Sequence, residues 1–239
     1  MPALPSLTHD AYQRLRAELL FGRVAPGAKL KITDLVASLD VNMSAVREAL
    51  ARLTAEGLVI AEPQKGFRAS PLTEADLRHL TEVRIPIEEM CIRRAIHSGD
   101  LAWEQSIVAA LHGLTRTQHY GEDGRVTGQW AEAHDQLHRA FVSACDNPWL
   151  LRIREALAAQ GDRYRWFAAA ASGPDRDLDD EHRRMADAFI ARDADRAVGL
   201  MTEHILFTAE VLLRHGLFKA NIRTKSVARS NRQRSSVED

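Results

Sequence analysis

His134 and His138 stand four residues apart, so on a helix both imidazoles would project from one face, the spacing two such ligands need to reach one metal ion. His182 lies about ten residues before a turn at Arg192-Asp193, and His204 about eleven after it. At about 1.5 Å of rise per residue, an antiparallel helix pair would bring those two to similar height. Two pairs can therefore converge, and neutral imidazole suits Zn, Ni, Cu or Fe better than Mg or Ca. Histidine is intermediate in burial, so scattered surface or hydrogen-bonded core histidines would give the same pattern. His79, His97, His112, His119 and His215 show no such pairing and are read as ordinary.

The elements that must position these side chains read as mostly α. From Thr73 to about Arg214 the apolar periodicity predicts six helices, over about 73–97, 100–120, 125–144, 148–171, 177–191 and 194–214. Thr73 and Asp100 are read as N-caps, and Pro86 is expected to bend the first helix. Ser172-Gly-Pro-Asp is read as a linker, and Gly121 to Gly124 as a loop.

The first 72 residues have a different grammar. A helix is predicted from about Thr8 to Phe21, then a turn at Pro26-Gly27 and a second helix capped by Thr33. A third follows with Asn42 or Ser44 as its cap, stopping at Gly57. Strands Leu58 to Glu62 and Phe67 to Pro71 flank the turn Pro63-Gln64-Lys65-Gly66. This order is that of a winged helix-turn-helix, whose third helix would enter the major groove of DNA. On that helix Asn42, Ser44 and Arg47 fall in the first turn, with Arg52 further along. The Arg47 guanidinium could pair bidentately with guanine, while Lys29, Lys31, Lys65 and Arg68 could meet phosphates. Each of these taken singly could equally be a solvated surface charge.

Composition and charge narrow the classes. With 239 residues, 45% hydrophobic and 27% charged, the chain can bury a sizeable core, which excludes wholesale disorder. Two cysteines make neither a disulfide framework nor a four-thiolate zinc site. No apolar run approaches the roughly 20 residues of a membrane span, and no export leader is seen, so the cytoplasm is expected. The net charge of -1 divides unevenly: +2 over residues 1–72, -7 over 73–218 and +4 over 219–239. That last basic stretch is expected to be a disordered tail.

The segment Pro26-Gly-Ala-Lys-Leu, then Val41-Asn-Met-Ser-Ala-Val-Arg-Glu-Ala-Leu-Ala-Arg-Leu-Thr-Ala-Glu-Gly-Leu-Val, then Gln64-Lys-Gly-Phe, resembles the DNA-binding domain of GntR-family transcription regulators. The resemblance implies DNA contacts by Lys29 and Arg47 and a wing glycine at Gly66. Met43 stands where relatives carry an arginine that touches DNA, so their operator sequence does not transfer. The strings His134-Asp-Gln-Leu-His138, Glu181-His182-Arg and Met201-Thr-Glu-His204 resemble the helical FCD ligand-binding domain of the FadR subgroup. Many relatives there hold a divalent metal through one aspartate and three histidines. By that resemblance His138, His182 and His204 match the histidines and His134 replaces the aspartate. An all-imidazole set favours zinc, with nickel second, and Asp135 is about 100° out of phase to substitute.

The resemblance further implies a small carboxylate effector beside the metal, with Arg84 lining its pocket; an ion pair between Arg84 and Glu88 is the plainer alternative. The six-helix count is similar to the VanR-like branch. The expectation is a dimeric, effector-responsive DNA-binding regulator, a repressor by family habit, with domains over 1–72 and 73–218. Two rivals remain open at this point, a metalloenzyme using the four histidines and a DNA-binding protein whose metal is purely structural.

Overall fold

The computed structural model describes residues 7–122, 126–169 and 177–214. The basic tail from 219, the Ser172-Gly-Pro-Asp linker and His215 lie outside the described residues. The first core is built by α1 (Leu7–Leu20), β1 (Lys29–Leu30), α2 (Ile32–Leu39), α3 (Met43–Ala55), β2 (Val59–Glu62) and β3 (Gly66–Ala69). Leu15, Val46, Leu50 and Leu53 are fully buried at its centre, the apolar face expected when such residues recur three and four apart. The strands form an antiparallel sheet in the order β1-β3-β2, with Lys29 opposite Arg68 and Ile60 opposite Arg68 from the other side.

Three local details differ from the sequence reading. The α2 helix starts at Ile32 with Lys31 at the N-cap and no side-chain cap, because the Thr33 hydroxyl turns to Asp34 Oδ1 at 3.2 Å. Strand β1 was not anticipated, since two residues carry no alternation and its pairing with β3 is a tertiary event. The hairpin strands are shorter than expected, Val59–Glu62 and Gly66–Ala69. For the α3 cap, Asn42 is the residue used, its side chain accepting from Ala45 N at 2.9 Å. The wing turn bends at Gln64 and Gly66, with φ of 61° and 90°, and glycine takes the latter without a Cβ penalty.

The second core is helical: α4 (Glu74–Ser98), α5 (Leu101–Thr115), α6 (Gly128–Val142), α7 (Pro148–Ala169), α8 (Leu178–Ile190) and α9 (Ala194–Arg214). The caps at Thr73 and Asp100 accept from Asp76 N and Trp103 N, as short polar side chains do. Pro86 lies inside the single helix α4, where it removes one backbone donor. Expected to reach about Tyr120, α5 instead stops at Thr115. There Thr115 and Thr117 turn their hydroxyls back onto the carbonyls of Leu111 and Gly113, and a bridge between Tyr120 and Val126 reverses the chain. Thr127 then caps α6, which begins at Gly128 rather than near 125. Cys91, Ile92, Ile107, Leu137, Phe141 and Phe189 fill the centre, with Phe141 and Phe189 stacked at 4.3 Å.

Candidate metal centre and DNA-facing surface

Helix α6 carries His134 and His138 one turn apart on its buried face, and the α8–α9 hairpin brings His182 and His204 against them. One nitrogen from each ring lies within 4.8 Å of the others, and all four residues are buried. His138 Nε2 and His182 Nε2 are 3.4 Å apart, about the edge length of a tetrahedron whose ligands sit about 2.0–2.1 Å from a central ion. The sequence placed all four residues in the right elements, and the structure brings them together.

Whether these rings suit a metal is decided by what holds their other nitrogens. The His182 Nδ1–H donates to the Leu178 carbonyl at 2.6 Å, and the His204 Nδ1–H to Glu181 Oε1 at 2.5 Å. Both contacts fix the tautomer that puts the lone pair on Nε2, the usual outer-shell arrangement of metal-bound histidine. His138 Nδ1 is buried without a hydrogen-bond partner among the described residues. Burial pushes His134 and His138 well below the ordinary histidine pKa, with the Arg165 charge adding to the effect on His134 and the neighbouring imidazoles to that on His138. Neutral rings are what a cation requires. The donor set fits a borderline transition metal.

Around the cluster lie residues that the sequence reading did not single out. Arg165 of α7 donates to His134 Nδ1 at 2.6 Å and to Asp135 Oδ1 at 2.8 Å, and pairs with Asp162 at 3.0 Å. Burial raises the Asp162 carboxyl to about 6 despite that cation. Arg154 donates to Glu88 at 2.7 Å and to the His138 carbonyl at 2.9 Å, so a buried ion pair anchors the backbone of a candidate ligand. Trp130 covers the cluster from the α6 start, stacked on His119 at 4.0 Å. Glu181 had a sequence signal, its place beside His182. Arg165 had none, because its relation to His134 is set by how α7 packs on α6.

Arg84 projects from α4 toward α7. Its Nε is 3.5 Å from Glu88 Oε1, so the plainer alternative is present, but only as a long contact, while the other Glu88 oxygen takes Arg154. A cleft lined by Arg84, Thr81, Asp162, Arg165, His204 and Thr208 opens beside the histidines. Gly161 faces Arg84: a Cβ there would come within 2.5 Å of Nη1.

On the first core Ser44 is exposed on the first turn of α3 and Arg47 at the start of its second, and Lys29 and Lys65 are exposed on β1 and the wing. Arg52 and Arg68 are engaged within the chain. The Arg52 guanidinium lies over the Tyr12 ring at 4.1 Å, and Arg68 donates to the Gly27 carbonyl at 2.5 Å. Helix α7 joins the two cores: Trp166 packs edge-on against Phe21 at 5.1 Å, Gln160 donates to Glu56 O at 2.7 Å, and Arg163 to Ser70 O at 2.5 Å.

A winged helix-turn-helix joined to a helical bundle is an architecture built for binding DNA. Residues 7–68 match the family of bacterial regulatory proteins of the gntR type, and residues 79–207 match the FCD domain. The chain belongs to the GntR family, in its FCD-containing branch, and is a transcription regulator rather than an enzyme. It is 35% identical to the HTH-type transcriptional regulator BphR of Paraburkholderia xenovorans (strain LB400), over 90% of this chain and 88% of that one. It is 31% identical to the HTH-type transcriptional repressor GlaR of Escherichia coli (strain K12), over 82% and 91%. The E. coli McbR/YncC structure shares the fold at 21% identity, with a TM-score of 0.76 over 89% of this chain and 99% of that one. Among the described residues no helix is long and apolar enough to cross a membrane.

Proposed function

We propose that the protein is a metabolite-responsive repressor that binds operator DNA as a homodimer and senses a small carboxylate beside a metal held by His134, His138, His182 and His204. Residues 1–72 form the DNA-binding part and 73–218 the sensing and dimerising part, working in the cytoplasm. The observation that carries the reading is the buried four-histidine group in which His182 and His204 have their Nδ1 protons committed to Leu178 and Glu181. Zinc suits the set best, with nickel second. When bound, the metal supplies a Lewis acid for an effector oxygen.

The chain's own residues do the rest. Arg84 is aimed into the adjoining cleft and is tied to Glu88 only at 3.5 Å, so its guanidinium can turn to a carboxylate. Glu181 and the Leu178 carbonyl hold two ring orientations. On the DNA side Lys29, Ser44, Arg47, Lys65 and the Gly66 turn lie on exposed surface suited to a groove and its phosphates. Asn42 caps α3 and so positions its first turn, while Arg52 reaches DNA only by leaving Tyr12. The repressor sign is supported by the GlaR likeness.

The deciding experiment is elemental analysis of the purified protein with a thermal-shift screen of small carboxylates, with and without chelator. Near one equivalent of Zn or Ni per chain is expected, with a carboxylate that raises Tm only in the metal-loaded protein. A chain that purifies and reconstitutes without metal, His138→Ala behaving like the parent, would remove the metal and the effector mode built on it.

A further inference from the structure

We infer that Arg165 and a bound metal exclude one another at His134, so that metal entry requires the Arg165 guanidinium to let go of that ring. The inference rests on the metal reading above. A neutral imidazole has one N–H and one lone pair, and a guanidinium only donates. Arg165 Nη1 lies 2.6 Å from His134 Nδ1, so in this arrangement the lone pair sits on Nδ1 and the proton on Nε2. His134 then offers a cation nothing: one nitrogen's lone pair is occupied and the other carries hydrogen.

His134 thus differs from the two histidines whose tautomer a hydrogen bond sets for metal binding. His182 and His204 donate from Nδ1 and present the Nε2 lone pair, whereas His134 accepts at Nδ1. The means of conversion are already beside it. Asp135 Oδ1 lies 3.6 Å from His134 Nδ1 and can accept a proton from that nitrogen, as Glu181 does from His204. Arg165 released from the ring keeps Asp135 and Asp162 as partners, at 2.8 and 3.0 Å. The exchange conserves protons: Nε2 loses one, Nδ1 gains one, and the guanidinium stays charged throughout. His182 and His204 present their Nε2 lone pairs, His138, whose Nδ1 meets no hydrogen-bond partner among the described residues, has no competitor to displace before it turns its lone pair to a cation, and His134 joins them only when Arg165 moves.

The test is a double-mutant cycle on zinc affinity in the full chain, measured by competition with a chromophoric chelator for the parent, Arg165→Gln, His134→Ala and the double variant. Arg165→Gln should tighten zinc binding about 10- to 100-fold, the scale of losing a charged competitor's hydrogen bond, and by less than about 3-fold in the His134→Ala background. Equal tightening in both backgrounds would mean that the arginine acts by charge alone and would overturn the inference; so would no tightening. A second measurement needs no variant at position 165: nitrogen NMR of the histidine rings of the parent, with His134 assigned from the His134→Ala spectrum. Zinc should move the His134 proton from Nε2 to Nδ1, and an unchanged tautomer would again overturn the exchange. If zinc binds the parent no better than His138→Ala, the metal reading itself has failed; if it binds through His138 without the coupling, only the inference has.

Discussion

Gly161 decides how far Arg84 can reach. Adding a methyl there would place carbon 2.5 Å from Nη1, the far end of a flexible side chain that can swing aside. The helix around it would gain roughly 1 kcal/mol from replacing glycine by alanine. Gly161→Ala is therefore expected to melt no lower than the parent, with a weakened thermal response to carboxylates as Arg84 is pushed from its place in the cleft; Arg84→Ala should lose the response, and a full response in that variant would show that Arg84 does not hold the effector. On the other core, Arg47 is exposed near the start of α3 and Arg52 is stacked on Tyr12. Arg47→Ala is expected to cost about 1–3 kcal/mol of operator binding without changing Tm, as a lost base contact should, and unchanged affinity in a mobility-shift titration would take it off the interface. These side chains also mark what a sequence can tell. The His134 and His138 pair was legible because a helix converts a spacing of four into one face. The tilt of Arg165 onto His134 was not, because nothing in residues 162–166 encodes which neighbour α7 packs against.

Helix α7 is the element that every functional part touches. It supplies Arg165 to the histidine cluster, Arg154 to Glu88, Gly161 to Arg84, and Trp166 to Phe21 just beyond α1. A shift of this helix that satisfies the sensing side must change its grip on the DNA-binding side, since packed elements move as units. Trp166→Ala removes the edge-to-face contact, worth about 0.5–1.5 kcal/mol beyond its buried area. Calorimetry is expected to give one melting transition for the parent and two for the variant, the bundle keeping its carboxylate response; one unsplit transition in the variant would mean that the hydrogen bonds from Gln160 and Arg163 hold the cores together without the ring. At this scale the helices were readable wherever a cap and a period coincided, as at Thr73, Asp100 and Asn42. The misreadings fell where side chains competed with the backbone, at Thr33, Thr115 and Thr117, or where pairing was wholly tertiary, as in β1.

Among the described residues, α4 and α7 leave an apolar flank of the bundle open. Helices α4 and α7 run antiparallel, because Glu88 meets Arg154 while Arg84, earlier on α4, meets Gly161, later on α7. Val83 and Met90 each precede a residue of the face that α4 turns inward, Arg84 and Cys91; Trp149 and Ile153 stand in the same relation to Leu150 and Arg154 on α7. One residue back is about 100° of rotation, and on antiparallel helices that common offset brings both sets to the same side. They are exposed by 51%, 48%, 69% and 44%, large values for valine, methionine, tryptophan and isoleucine. A second copy placed across a two-fold axis would cover this flank with itself and set two α3 helices toward the half-sites of a pseudo-palindrome. The acidic body, at -7 over residues 73–218, would stay clear of the phosphates. Sedimentation of the parent should give a dimer, and Met90→Glu with Ile153→Glu should give a folded monomer whose melting no longer depends on protein concentration. A double variant that stays dimeric would move the interface elsewhere, because two carboxylates buried without partners at its centre could not be tolerated.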